Sequence, residues 1–293
     1  MREIHYLLGN SCNLNCDFCF WDVRMPDVSL DFKKKIVDEI VKSGIKKVTI
    51  SGGEPLCTNN FLEILNYMKQ NNLEVILHSN GLKIDNFLAQ KIAPLISRIS
   101  LTMDAVETNT QIQMRKNKDI TNHTINLIKI FHNLKVSVNV KTLVTKINKN
   151  EIPGIGKILC DLPIKYWSLL EFIPLNRGKL NQSNFLLERH EFDNICAKIK
   201  DEFPSIDIRI IKFADSEDNY CFIAPNGDVY THIKLQGDVL VDNIESDELN
   251  SLIKKIENRS VPLRHTVPTP SAPVGRVAPS PHNSGYIQLN LKN

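Results

Sequence analysis

Cys12, Cys16 and Cys19 stand in GNSCNLNCDFCFW with the spacing C-x₃-C-x₂-C. Random placement of 7 cysteines in 293 positions would produce such a pattern about 0.004 times, so the spacing has a chemical cause. Structural zinc and ordinary cubane clusters use four protein ligands, whereas three close cysteines can hold a [4Fe–4S] cluster and leave one iron open to an outside ligand. The alternatives are a zinc site, with Cys57 or a histidine as the fourth ligand, and a set of buried thiols.

A second group that could do chemistry is Ser51-Gly52-Gly53-Glu54-Pro55. Its glycines would let a ligand approach backbone carbonyls, and Glu54 offers a negative partner to an amino group. Taken alone it reads as a turn.

These residues need a frame, and the apolar pattern supplies one. A strand over residues 3–8 precedes the cysteines, a helix over 29–43 buries Phe32, Ile36, Val37, Ile40 and Val41 on one face, and a strand over 47–51 runs into the glycine pair. The alternation continues with a helix over Phe61, Ile64, Leu65 and Met68 and a strand over 73–79. It goes on with helices near 85–95, 120–132, 151–160 and 189–203 and strands near 98–102, 135–144 and 166–173. Six β/α units fall short of the eight of a closed barrel, so the fold class is α/β, a partial (β/α)6 TIM-like barrel open along one side. In such a barrel functional groups gather at the C-terminal ends of the strands, the rim where both motifs fall.

Short strands and turns such as Asn226-Gly227 mark residues 206–244 as β-rich, and a helix follows near 246–256. Residues 261–293 hold six of the 14 prolines and no apolar periodicity. The expected organisation is therefore a barrel over 1–205, a small C-terminal β-rich extension over 206–260 and a disordered tail over 261–293. The tail's switch to Pro, Val, Arg and Ala also fits a terminus that is not native.

An apolar fraction of 42% and a charged fraction of 24% are those of a soluble globular protein, and a net charge of +3 gives no broad basic field for duplex nucleic acid. No run approaches the roughly 20 apolar residues that cross a bilayer. The odd cysteine count suits metal ligation in a reducing compartment, so a cytoplasmic location is expected.

The C-x₃-C-x₂-C loop after the first strand, ISGGEP after the second and HSNGL after the third together resemble the radical S-adenosylmethionine superfamily over residues 5–175. The resemblance implies two cofactors, one [4Fe–4S] cluster on Cys12, Cys16 and Cys19, and S-adenosylmethionine chelating the open iron. It places Phe18 and the backbone around Ile173-Pro174 near the adenine, and Gly52, Gly53 and Glu54 at the methionine amino group. Ser79, Asn80, Thr102, Asp104 and Arg115 would contact the ribose or carboxylate. His78 reads as a strand residue. The implied activity is reductive cleavage of S-adenosylmethionine to a 5′-deoxyadenosyl radical that abstracts a substrate hydrogen, with a low-potential donor such as flavodoxin or ferredoxin.

Within the superfamily, CDFCFW, VTISGGEP, HSNG and KYWSLLEFIPL are similar to viperin-type nucleotide dehydratases, the leading specific resemblance. A triphosphate needs several cations at the barrel mouth, and Lys141, Lys146, Arg177 and Lys179 are available, although Asn139 stands where those enzymes have a phosphate-binding lysine. The second resemblance is to peptide-modifying or other small-molecule enzymes with a cysteine-rich (SPASM or twitch) extension. That one rests on CFIAPNGDVYTH, with His232 where a cysteine is usual. Cys160, Cys196 and Cys221 lack paired spacing, so one cluster is expected. A third reading, from another class, is a non-catalytic iron–sulfur sensor or scaffold. No residue is assigned as the group that reacts with substrate.

Overall fold

In the computed structural model the described residues are 1, 3–21, 26–212, 221–233 and 237–258. The expected tail over 261–293 lies outside them. In chain order the elements are β1 (Glu3–Gly9), α1 (Leu30–Lys42), β2 (Lys47–Gly52), α2 (Phe61–Gln70), β3 (Glu74–Ser79), α3 (Asn86–Ile92), β4 (Arg98–Thr102), α4 (Thr108–Arg115), α5 (Ile120–Asn133), β5 (Ser137–Val144), α6 (Ile152–Cys160) and β6 (Tyr166–Glu171). There follow α7 (Asn176–Leu180), α8 (Gln182–Phe185), α9 (Arg189–Glu202), β7 (Ile208–Ile211), β8 (Cys221–Ile223), β9 (Asp228–Ile233), β10 (Gly237–Asn243) and α10 (Leu249–Glu257).

Strands β1 to β6 pair in sequence order and in parallel, each step crossing through helix, which is the partial barrel the alternation predicts. One residue of each strand pair turns to the helices: Ile4, Tyr6 and Leu8 on β1, Val48 and Ile50 on β2, Val75 and Leu77 on β3, and Val138 and Val140 on β5 are all buried in the main core. Local signals set the helix ends. Ser29 Oγ accepts from Phe32 N at 3.2 Å to start α1, and Gly44, at φ +81°, leaves it in a left-handed turn that a side chain would strain.

The C-terminal strands extend this sheet. Strand β8 pairs in parallel with β1, and β9 and β10 continue antiparallel, giving one ten-stranded sheet in the order β10-β9-β8-β1-β2-β3-β4-β5-β6-β7. Ile208–Ile211, grouped in the sequence reading with the extension, hydrogen-bonds instead to β6 at the opposite edge. Its alternation is that of any half-buried strand, so sequence alone gives no sign of which edge it joins.

The extension also braces the cysteine loop. Phe222 meets Trp21 edge-on with ring centroids 5.8 Å apart and stacks on Tyr230 at 4.9 Å, while Trp21 Nε1 donates to Asn10 Oδ1 at 2.8 Å. Trp21 lies two residues beyond Cys19 and Asn10 two before Cys12, so these contacts pin both ends of the loop. Replacing Phe222 by Ala should lower unfolding stability by about 3–5 kcal/mol. Urea titration would check it, and a change below about 0.5 kcal/mol would mean that the extension does not load on this contact.

Candidate functional site

The cysteine loop is held by backbone. Gly53 N donates to Gly9 O at 2.9 Å and Glu54 N to Ser11 O at 2.8 Å, so the end of β2 and the start of the loop are stitched like one more rung of sheet. A Cβ on Gly53 would sit 2.6 Å from the Asn10 carbonyl oxygen and closer still to that of Ser11. Gly52 has φ +135° and faces Gly9 O equally closely. The glycine pair is thus required by the loop's own backbone, a use the sequence reading did not foresee when it gave them to a ligand.

Glu54 is buried and joins a third strand to this ledge. Its Oε1 accepts from Ser79 Oγ at 2.7 Å and its Oε2 from Asn80 N at 2.8 Å, while Asn80 Nδ2 donates to Asn13 Oδ1 at 2.8 Å. Burial raises the Glu54 carboxyl to about 7, against the hydrogen bonds from Asn80, Ser79 and Leu56 that lower it. An ammonium group brought to this carboxyl would favour its charged form.

On the other side of the loop Asp104, also buried, accepts from Leu143 N at 2.8 Å and from Arg115 Nε at 2.5 Å. Arg115 lies with its Nη1 3.9 Å from Cys16 Sγ and its guanidinium 4.7 Å above the Phe18 ring. Phe18 packs with Cys16, Met114, Phe172 and Phe185 in a separate apolar cluster. Gly178 N donates to Cys19 O at 3.1 Å, so the short helix α7, just after β6, closes over the loop.

The structure therefore gathers Gly52, Gly53, Glu54, Ser79 and Asn80 on one flank of the cysteines and Phe18, Asp104 and Arg115 on the other. Thr102 ends β4 between these flanks, and its Oγ1 is buried with no hydrogen-bond partner among the described residues. Ile173 is half-buried after β6 and outside the Phe18 cluster, its carbonyl taken by Leu175 N.

All three cysteines are free thiols, Cys12 exposed and Cys16 buried. Although Cys12 is exposed as a residue, the protein crowding its sulfur pushes its thiol up to about 12 against the Leu14 amide, and burial raises Cys16, which the Arg115 charge partly offsets. Four zinc ligands at ~2.3 Å would crowd their sulfurs around one ion. Among the described residues no three His, Cys, Asp or Glu side chains are gathered tightly enough for that. A cubane spans several irons and holds its thiolates further apart. Cys57 lies close by, with its thiol raised by burial and accepting from the Asn13 backbone.

A second polar group was foreseen only through Lys141, one of the expected barrel-mouth cations. His5, His78 and Lys141 occupy the barrel-facing positions of β1, β3 and β5, and Lys141 Nζ lies 3.1 Å from both ring nitrogens of His78. The alternation signals them, since each breaks the apolar pattern of a strand at the phase opposite to the core. Burial lowers Lys141 to about 8, with Glu3 acting in the other direction. Burial, helped by Lys141, holds His5 down at about 4 and His78 well below its ordinary value.

A half-open barrel with a three-thiol loop stitched to a glycine ledge at its C-terminal rim defines a class of cofactor-dependent barrel protein. Residues 6–156 match the Radical SAM superfamily, and the chain belongs to that family of enzymes, which uses S-adenosylmethionine and an iron–sulfur cluster. An uncharacterized protein of Methanocaldococcus jannaschii is 25% identical over 276 residues, 88% of this chain and 94% of the relative. An S-adenosylmethionine-dependent nucleotide dehydratase of Lacinutrix mariniflava is 24% identical over 214 residues, 68% of this chain but 44% of the relative's length. The solved structure of anSMEcpe with bound AdoMet and Cp18Cys peptide shares the fold at TM-score 0.69 and 16% identity, covering 89% of this chain and 81% of that one.

Two outcomes are expected. Gly53→Ala should sharply reduce iron retained after anaerobic reconstitution while far-UV circular dichroism stays native, because a backbone clash cannot relax; full iron binding would show that the loop docks elsewhere. Stability should fall as pH drops from 6.5 toward 4, because the unfolded chain takes up a proton that folded His5 refuses in that window. Denaturant midpoints should show a flatter acid limb in His5→Gln, and an identical limb would remove His5 from the account.

Proposed function

We propose that this protein binds one [4Fe–4S] cluster through Cys12, Cys16 and Cys19, positions S-adenosylmethionine beside it, and abstracts a hydrogen atom from a small polar substrate held inside the barrel. The observation that carries the reading is the stitched loop and ledge. The donor set is three thiols on one loop, with Cys57 near Cys12 on a separate segment, and Thr102 Oγ1, a buried hydroxyl with no hydrogen-bond partner among the described residues, lies on the same rim. These residues fit the cofactor pair.

When bound, the pair supplies a low-potential electron and hydrogen-atom abstraction. The chain's own residues bind and orient. Glu54, with Ser79 and Asn80 fixing its carboxylate, receives the methionine amino group. Arg115 is locked by Asp104, so its remaining donors stay aimed along the Cys16 and Phe18 side, where a ribose or carboxylate would sit. Phe18 offers an aromatic face to the adenine, Thr102 a hydroxyl, and the Ile173 backbone the far edge. A cytosolic setting with a flavodoxin or ferredoxin donor accompanies this reading. Among the described residues no helix is long and apolar enough to cross a membrane.

The nucleoside triphosphate reading draws on the relative from Lacinutrix mariniflava. The four cations marked for it are dispersed. Lys141 faces His78, Lys146 reaches Ser183 O from an exposed position, Arg177 donates to Asn15 and to Cys16 O, and Lys179 is exposed. A substrate with less charge suits this arrangement better.

Anaerobic reconstitution with reductant should give 5′-deoxyadenosine from S-adenosylmethionine, and Cys16→Ser should abolish it; a protein with bound cluster that forms none would favour a sensor or scaffold. Incubation with each nucleoside triphosphate should give no product lighter by one water, and mass spectrometry finding such a product would move the substrate to nucleotides.

A further inference from the structure

The wall of the barrel below the cofactor rim carries charge that the fold leaves unbalanced. Lys141 makes no ion pair among the described residues, and the carboxylate that influences it, Glu3, is already engaged by Thr49 Oγ1 at 2.5 Å and by Lys47 at 3.4 Å. Its only hydrogen-bond contact among the described residues is His78, and the equal 3.1 Å distances to the two ring nitrogens place the ammonium off the lone-pair axis of the one nitrogen that can accept. A linear bond to one lone pair would set the other nitrogen well beyond hydrogen-bond range, so this contact satisfies the ammonium poorly. A second imidazole, His5, lies next to the first, ring centroids 6.2 Å apart.

Two more atoms on this wall have no partner among the described residues, although Asn139 Nδ2 donates to Ser100 Oγ at 3.3 Å. Asn139 and Ser168 are 0% and 1% exposed, and Asn139 Oδ1 and Ser168 Oγ find no hydrogen bond among the described residues. Both share the Lys141 face. Asn139 lies two residues before it on β5, and Ser168 is its register partner on β6. Unmet buried hydroxyl and amide groups carry a desolvation cost, and an unpaired charge a larger one, unless something fills the site. His5, His78 and Lys141 retain partial solvent access, so a ligand would enter at that end of the wall, and the covered Asn139 and Ser168 would be reached only as the Lys141 side chain swings off His78.

We propose that Lys141, His78 and Ser168 form a substrate subsite for a single carboxylate, with Asn139 Oδ1 accepting a hydrogen bond from a donor next to it. The proposal rests on the radical SAM reading and adds the substrate class, a small molecule bearing one carboxylate. Charge decides for a carboxylate over a phosphate ester. Among the described residues the other cation acting on His78, Arg98, is turned to Tyr166, donating to its hydroxyl at 2.9 Å with the guanidinium over its ring, and Glu3 and Lys47 offset each other. At the His78 end the Lys141 ammonium is therefore the charge to be met, which one carboxylate balances while the roughly two charges of a phosphate would leave an excess in a poorly solvated site. Lys141, ordinarily near 10.5, is lowered only to about 8 and so carries its proton at pH 7.

The test is the ligand-induced rise in unfolding temperature of the anaerobically reconstituted protein, read with acetate, pyruvate and indole-3-acetate, each beside its methyl ester, and with inorganic phosphate. At least one carboxylate should stabilise the wild type where its neutral ester does not. Its apparent affinity should fall by about thirtyfold or more in Lys141→Met, and less in Ser168→Ala. Lys141→Met should fold, because it removes an unpaired charge at similar volume. Equal responses to acids and esters, or a carboxylate response unchanged in Lys141→Met, would overturn the proposal, and so would a phosphate response that is larger and depends on Lys141. Formation of 5′-deoxyadenosine by the wild type without any carboxylate response would end this inference alone. A carboxylate response without that product would instead end the parent reading.

Discussion

The structure depends on one contact, the backbone pairing of the cysteine loop with the end of β2. Two amides, Gly53 N and Glu54 N, reach carbonyls at Gly9 and Ser11, and no side chain larger than hydrogen fits at Gly53. Every other feature of the rim is set from that seam. Glu54 ties it to the end of β3 through Ser79 and Asn80, Trp21 and Asn10 tie it to the extension, and Gly178 closes it from after β6. A loop of three cysteines would otherwise be a mobile chelate, and the free energy of ordering it would weaken any cluster it holds.

Below the seam the barrel interior is polar where the outer face of the same strands is apolar. That division follows from strand geometry, in which successive side chains point to opposite faces. It lets one sheet bury a continuous core against its helices and still turn His5, His78, Asn139, Lys141 and Ser168 to the barrel interior. The cost is a set of poorly satisfied groups, which is typical of positions selected for binding more than for stability.

Much of this was legible in the residues. The C-x₃-C-x₂-C spacing, the glycine ledge and the β/α alternation each have a local cause, so the parallel order β1 to β6 followed from them, whereas the direct hydrogen bonds from Ser79 and Asn80 to Glu54 were not anticipated. What was not legible depends on long-range choice. Ile208–Ile211 and Cys221–Ile223 have similar patterns, yet one joins β6 and the other β1, because the edge is selected by packing across the whole sheet. The Lys141–His78 contact joins residues 63 apart in sequence through the curvature of the barrel, and only the polar phase of their strands hinted at it. A further demand on the glycines was hidden for the same reason, since a backbone 43 residues earlier also needs the space.

The central claim is that three thiolates on a backbone-fixed loop leave one iron open beside the glycine ledge. Mössbauer spectroscopy of the reconstituted, iron-57-enriched protein with and without S-adenosylmethionine tests it most directly. The account predicts one [4Fe–4S] cluster per chain in which a single iron site changes its parameters when S-adenosylmethionine is added. A cluster whose irons are all unaffected by the addition, or a preparation that takes up zinc in place of iron on the same cysteines, would contradict it.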